Sequence, residues 1–386
     1  MKYFKPLLFL VVILIILFPF FSKAAELMQD QVTIVKAKVL EVVSQTEKIL
    51  PWNDTKLSTQ TIKVQIVGSN NSGKIIEFEN DYVMLKKGDS FYLSYTFQSE
   101  GKEFYSVFEP DRTPILIFFS VLFLILVIIF GGIQGIRGLL SLALSLLVII
   151  FVLLPGVLQG FSALLVSIGV SSLIIIFGSY VTHGFNKTTS SAVLGMILTV
   201  ILTGIMAYFA VYKSRLSGVT GDEAVYLNFN TSGSIDLVGL LMGGIMIGLL
   251  GVLYDVAIGQ SISVEELHKI APHVGRWAVY KRAIRIGREH IGALVNTLAI
   301  AYVGAALPLL LLFYSSADSS FIMTINREVF ATEIIRVLIG SIGLVLAVPV
   351  TTLLAVYMLL KKDNTNLSEE ILEKEEDALE YFKHKH

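Results

Sequence analysis

Seven long apolar runs follow one another between Pro114 and Leu360, and nearly every strong charge lies between them. A bilayer core about 30 Å thick takes roughly 20 apolar helical residues to cross. The runs are Pro114–Phe130, Leu139–Leu154, Phe161–Val181, Ser191–Tyr212, Leu237–Ile258, Ile291–Tyr314 and Ile334–Leu360. Each reads as a crossing helix. The expected class is a polytopic α-helical membrane protein: seven transmembrane helices after an N-terminal signal or anchor, with a small extracytoplasmic β-barrel-like domain.

Composition narrows the function. The chain is 54% hydrophobic and 16% charged, where soluble domains lie near a quarter charged. A net charge of −1 gives no general attraction to nucleic acid, and cysteine is absent. Disulfides, cysteine-ligated zinc and thiol catalysis are therefore excluded. At the N-terminus, Lys2 and Lys5 precede the apolar stretch Pro6–Phe21, and Ser22-Lys23-Ala24 offers small residues for cleavage. Residues 1–24 read as a signal peptide or as an uncleaved anchor helix, and either sends the next segment outside.

The loops agree with that orientation. With residues 25–112 outside, the inner loops hold Arg137, Lys187, Lys269, Arg276 and the cluster from Lys281 to Arg288, followed by Lys361 and Lys362. The outer loops hold only Lys213, Arg215 and Arg327. This is the positive-inside pattern. It predicts a multi-pass plasma-membrane protein with 25–112 extracytoplasmic, a membrane domain over 113–360, and a cytoplasmic acidic helical tail over 361–386.

Residues 25–112 alternate in the manner of strands, at Thr33–Val39, Thr61–Val67, Lys74–Phe78, Phe91–Tyr95 and Phe104–Phe108. Turns are expected at Asn70–Gly73 and Lys87–Asp89. Five short strands suggest a small barrel, OB-like in kind. Such a module serves as a cap, a partner-docking domain or a ligand-binding barrel.

Polar groups beside the membrane carry the functional question. Gly239, Gly243, Gly244, Gly248 and Gly251 crowd the fifth run. Four-residue spacing lets helices approach closely, and Gly244, Gly248, Gly251 and Asp255 share a face. Asp255 is thus expected to look into the bundle. A carboxylate at the inner end of a membrane helix meets the negative end of the dipole, and it needs a partner or a job. His183, Arg288, Glu289 and His290 are the candidates to converge on it. The cluster is either a structural ion pair between helices five and six or a site for a substrate or coupling ion. Asn296 shares a face with Glu289 and Gly292, suited to an interhelical hydrogen bond or a ligand contact. Glu333 and Arg336, one turn apart, are expected to pair with each other. Thr351 and Thr352 either line a cavity or bond their own backbone.

The 259–290 loop ends in a basic amphipathic helix. Trp277, Tyr280 and Ile284 recur at helical spacing among Lys281, Arg282, Arg285 and Arg288. Those cations need anionic neighbours. Anionic lipid headgroups at Lys281, Arg282 and Arg285 are one source; an anionic ligand is the other.

Enzyme readings find little support. Tyr254-Asp255 resembles one half of an intramembrane aspartyl protease site, but the second aspartate at that depth is missing. Glu265, His268 and His273 lack the spacing of a zinc protease, and there is no phosphate loop. No cofactor is expected.

A set of ordered motifs resembles the YibE/F-like multi-transmembrane family of bacteria. It includes Glu109-Pro110-Asp111-Arg112, Thr182-His183-Gly184-Phe185, Ile247–Val256, Arg285-Ile286-Gly287-Arg288-Glu289-His290, Asn296–Tyr302, Ala306-Leu307-Pro308, Gly340–Leu344 and Val348–Thr352. Tyr254-Asp255 stands where the family commonly has paired aspartates, and Glu289 where it commonly has aspartate. The resemblance implies fold and topology. It implies no activity, because the family has no established one.

Taken together, these features point to a transporter or permease component that moves a small solute or ion through a carboxylate-centred site. The alternative is a non-transporting scaffold or sensor whose exported β-domain binds an envelope partner. A second copy of the chain or a related membrane subunit is the expected protein partner.

Overall fold

The computed structural model describes residues 33–49, 56–67, 73–97, 103–315 and 320–360. The expected signal or anchor, the acidic tail and most of the Asn70–Gly73 turn lie outside these residues. The chain divides into two compact units, one ending at Phe130 and the other resuming at Gly131.

The first unit carries a five-stranded antiparallel sheet. Its strands are β1 (Thr33–Ile49), β2 (Lys56–Val67), β3 (Ile75–Asn80), β4 (Ser90–Phe97) and β5 (Glu103–Pro110), in the order β3-β2-β1-β4-β5. Period-two alternation puts Val35, Ala37 and Val39 on one face, with Ile62, Val64, Ile66, Phe91 and Leu93 packed beside them. Register aligns this core: Ala37 lies opposite Ile66 on one side and Phe91 on the other. The sheet curls into a half-barrel. Its edges β3 and β5 meet through side chains, with Lys74 bonded to Glu103 (2.7 Å) and Tyr105 (3.0 Å) and Phe78 against Tyr105. The described residues show no backbone ladder between these edges, so the barrel stays open. The first two strands are also longer than expected, because β1 and β2 run on together to Ile49 and Lys56.

The link from β5 into the first helix is bonded throughout. Glu109 accepts from Arg112 (2.6 Å) and from the Tyr82 hydroxyl (3.1 Å). Asp111 pairs with Lys36 (2.6 Å) and accepts from the Thr113 amide (3.1 Å), which opens the helix. The hydrogen bond from Lys36 holds the Asp111 carboxyl below the usual carboxylate range.

The helices are α1 (Thr113–Val148), α2 (Leu154–Leu158) after a π turn at Ile149–Leu153, α3 (Ala163–His183), α4 (Lys187–Lys213), α5 (Asp222–Asn230), α6 (Leu237–Ile270), α7 (Arg276–Ala305), α8 (Leu307–Ser315), α9 (Phe321–Ile325) and α10 (Glu328–Leu359). Among the described residues, five helical segments are long and apolar enough to cross a membrane, and a sixth arises if α7 and α8, bent by 70°, form one span. This marks a membrane protein, with a count below the expected seven. Two of the predicted runs fall on one helical segment, Thr113–Leu158, interrupted at Gly132 (φ 53°, ψ −139°). That backbone conformation is open to glycine and costly for other residues. The sixth predicted run breaks at Ala306, between α7 and α8, because Pro308 has no N–H to bond the Gly304 carbonyl and its ring crowds that carbonyl, so one continuous helix cannot pass through it.

In the second unit α3, α4, α6 and α10 share one apolar core, with Met196, Val200, Met246, Leu249, Leu253 and Leu344 at its centre. The helices come close because glycine on one meets an oxygen- or nitrogen-bearing side chain on the next. Gly195 faces Thr351, Gly343 faces Thr203, Gly243 faces Ser167 and Gly287 faces Gln260. Small residues and interhelical polar contacts are what hold helices together where lipid removes the hydrophobic driving force.

Candidate functional site

The turn between α3 and α4 is built by Thr182-His183-Gly184-Phe185. Gly184 takes φ 76°, ending α3. Phe185 stacks on Tyr180 with ring centroids 4.2 Å apart. Asn186 caps α4 by accepting from the Thr189 amide (2.7 Å) and donates to the His183 carbonyl (3.1 Å). His183 is thereby fixed at the end of α3, its ring 5.7 Å from that of Tyr254 on α6. The Tyr254 hydroxyl in turn donates to the Gly178 carbonyl (3.2 Å).

Asp255 follows Tyr254 and lies within electrostatic reach of His183. It is exposed on the protein surface, as are Gly244, Gly248, Gly251 and Gly259 on the same side of α6. This corrects the expectation that the stripe is packed against the bundle. Nothing stands within 4 Å of a Cβ built at Gly244, Gly251 or Gly259, while at Gly248 the Tyr302 side chain of α7 reaches across. The glycines that do pack, Gly239 and Gly243, turn toward Ala163 and Ser167 of α3. The stripe is therefore an exposed face of α6.

At the Asp255 end of this face lies a cavity of about 270 Å³ between α6, α7 and α10. Asp255, Gln260 and Ser263 line it from α6, Gly287 and His290 from α7, and Val348 from α10. Gln260 is held in place, its carbonyl accepting from the Thr352 hydroxyl (2.9 Å). Thr352 also bonds its own backbone at Val348 (2.6 Å). A second cavity of about 530 Å³ opens on the next side of α6. His183, Lys187, Thr188, Glu265, His268 and Lys269 are among its walls. Glu265 accepts from Thr188 (2.6 Å) and pairs with Lys269 (2.9 Å).

The predicted cluster thus divides. Asp255 and His290 share the smaller cavity, while His183 touches Tyr254 and lines the larger one. Arg288 and Glu289 are exposed on α7 and form no wall of either. No ion pair joins Asp255 to Arg288 among the described residues. At about 100° per residue, Arg288 points roughly 160° around α7 from His290 and so away from Asp255. Asn296 is exposed on that outward side. Glu333 and Arg336 pair with each other at 3.3 Å. The sequence reading missed Gln260, Ser263 and Gly259. Gly259 and Ser263 follow Asp255 at i+4 and i+8, a spacing that marks them as continuing its face. No group of three or more His, Asp or Glu side chains able to hold a metal occurs among the described residues.

A family model described as YibE/F-like protein matches residues 119–361. That stretch contains every cavity residue above and begins after Glu109–Arg112. No curated protein and no solved structure matches the chain.

Proposed function

The chain belongs to the YibE/F-like family, and on that premise we propose that it is a transporter or permease component with a site centred on Asp255. The observation that carries this reading is the state of that carboxylate. It lines a cavity with His290, Gln260 and Ser263, at the end of an exposed glycine face, and among the described residues no ion pair seals it. A carboxylate kept free beside a membrane-spanning core is costly and calls for a functional reason. Asp255 takes the cation, the proton or the polar end of a small solute. His290 is its wall partner, and His183 relays between the two cavities. Asn296 and Glu289 act from the outer face of α7, and Arg288 attracts anions there rather than neutralising Asp255. In this reading the chain crosses seven times, the break at Gly132 separating the first two crossings, with the β-domain outside, the tail inside and Asp255 near the cytoplasmic face. Anionic headgroups are within reach of Lys281, Arg282 and Arg285.

One observation favours the scaffold or sensor reading: among the described residues, edges β3 and β5 of the half-barrel lack backbone partners, and an exposed edge can accept an added strand.

Flux separates the two. The purified protein in liposomes, loaded with a pH-sensitive dye and challenged with proton, sodium and potassium gradients, should dissipate at least one of them. Asp255→Asn should abolish that flux while still eluting as a folded species. Flux unchanged by Asp255→Asn removes the carboxylate from the mechanism. A water-filled cavity also requires Ser263→Cys, the sole thiol in the chain, to react with a membrane-impermeant thiol reagent. An inert thiol there counts for the scaffold.

A further inference from the structure

We propose that the acidic tail of this chain docks on the basic outer face of α7 as an intramolecular ligand. Three observations converge on that face. Lys281, Arg285 and Arg288 are spaced i, i+4, i+7, so they form one stripe, and all three are exposed. Neither Arg285 nor Arg288 has an ion-pair or hydrogen-bond partner among the described residues. Lys281 lies 5.9 Å from the ring centroid of Trp277, which is 61% exposed and stacks on Tyr280. Three like charges in a row on one helix repel unless anions meet them.

The chain itself delivers those anions. It leaves α10 at Leu360, whose carbonyl accepts from Arg276 (2.5 Å) in the first turn of α7. The Arg276 guanidinium also lies 5.2 Å from the Tyr357 ring centroid. Leu360 is buried in a cluster with Val279, Ala283 and Val356. The described chain therefore ends beside the first turns of α7, on the face of Val279 and Ala283 about 160° around the helix from Lys281 and Arg285, and Lys361–Ser368 are the residues that would carry the tail round to the stripe. Residues 363–380 hold eight carboxylates against one lysine, Lys374. Glu369, Glu373 and Glu376 repeat the i, i+4, i+7 spacing of the cations. From Arg276 to Arg288 is about 18 Å at 1.5 Å per residue. A segment of that tail spans this whether helical, at about 1.5 Å per residue, or extended, at about 3.3 Å. Charge, spacing and reach fit the same occupant.

The absence of cysteine makes the test direct, since each introduced thiol is unique. Ile286→Cys on α7 and Leu372→Cys in the tail are spin-labelled in the full-length protein, held in zwitterionic nanodiscs at low salt. Electron-spin distance measurement should give one narrow, short population. It should be lost in molar salt, because exposed pairs are screened, and lost in the Arg285→Glu/Arg288→Glu variant. Adding Glu373→Lys and Glu376→Lys to that variant should restore it, an outcome that charge complementarity alone explains. A broad distribution indifferent to salt and to these substitutions overturns the proposal. So does a short distance that vanishes once anionic lipid is included, which assigns the stripe to headgroups. The label distances do not depend on flux, so this inference stands or falls apart from the transport reading.

Discussion

Gly195 and Gly244 are both helical glycines, and an alanine at each should act in opposite directions. A Cβ at Gly195 would overlap the Thr351 hydroxyl and come 2.9 Å from the Thr351 Cα, which belongs to the backbone and cannot swing aside. Overpacking of this kind costs about 1–3 kcal/mol. A Cβ at Gly244 meets nothing within 4 Å, and alanine there gains roughly 1 kcal/mol of helix propensity at most. Thermal unfolding of the detergent-solubilised protein should therefore show Gly195→Ala clearly destabilised and Gly244→Ala unchanged or slightly raised. Equal effects at the two positions would mean that α4 and α10 are not in contact as described. The same contrast explains what could be read of the site from residues alone. Spacing identified Gly244, Gly248, Gly251 and Asp255 as one face, but a row of missing side chains suits a tight interface and an exposed face equally well. Asp255 was visible as a carboxylate in an apolar run. That Arg288 turns away from it follows from helical phase, which proximity in sequence conceals.

At the level of elements, the connection from β5 into α1 depends on a titratable pair. Lys36 and the Thr113 amide both bond Asp111 and hold its carboxyl below its ordinary value, near 3.9 in an unfolded chain. A lowered carboxyl stabilises the fold above the unfolded value, and the contribution disappears as pH falls through the folded one. Hydrogen exchange of β4 and β5 in the full chain, corrected for intrinsic rate, should show less protection in Asp111→Asn than in the parent at pH near neutrality. The two should converge once the medium is acid enough to protonate Asp111. A gap that persists unchanged into acid would trace the effect to packing rather than charge. The strands themselves were legible because alternation writes the buried face into the sequence, as at Ile62, Val64 and Ile66. Their lengths were not, since β1 pairs with β4 only as far as Lys38 while its pairing with β2 continues to Ile49. Beyond that point few neighbours impose alternation. Of the helix breaks, the one at Gly132 falls in the gap between the first two apolar runs and was legible, while the one before Pro308 was not, because it sits within an apolar stretch where hydropathy stays high while the backbone turns.

For the whole molecule, the number of crossings decides which side of the membrane Asp255 occupies. Taken as one crossing, the segment Thr113–Leu158 gives six with α3, α4, α6, α7–α8 and α10, and an even number returns the tail to the side of the β-domain. Yet 46 residues at about 1.5 Å each would reach roughly 69 Å, more than twice a hydrocarbon core of about 30 Å. Two crossings divided at Gly132 would remove that excess, and they are what the proposed seven-span topology requires. Charge agrees with that proposed topology, which would put Arg137, Lys187, Lys269, the α7 cations, Lys361 and Lys362 on one side against Lys213, Arg215 and Arg327 on the other. In the cysteine-free chain, Lys87→Cys should react with an impermeant maleimide in intact cells, and Asn366→Cys only after the membrane is opened. Reaction at both positions in intact cells would restore the even count. It would also put the Asp255 cavity on the outer side and turn the basic face of α7 away from the cytoplasm. The transport reading would then have to be rebuilt from an outward-facing site.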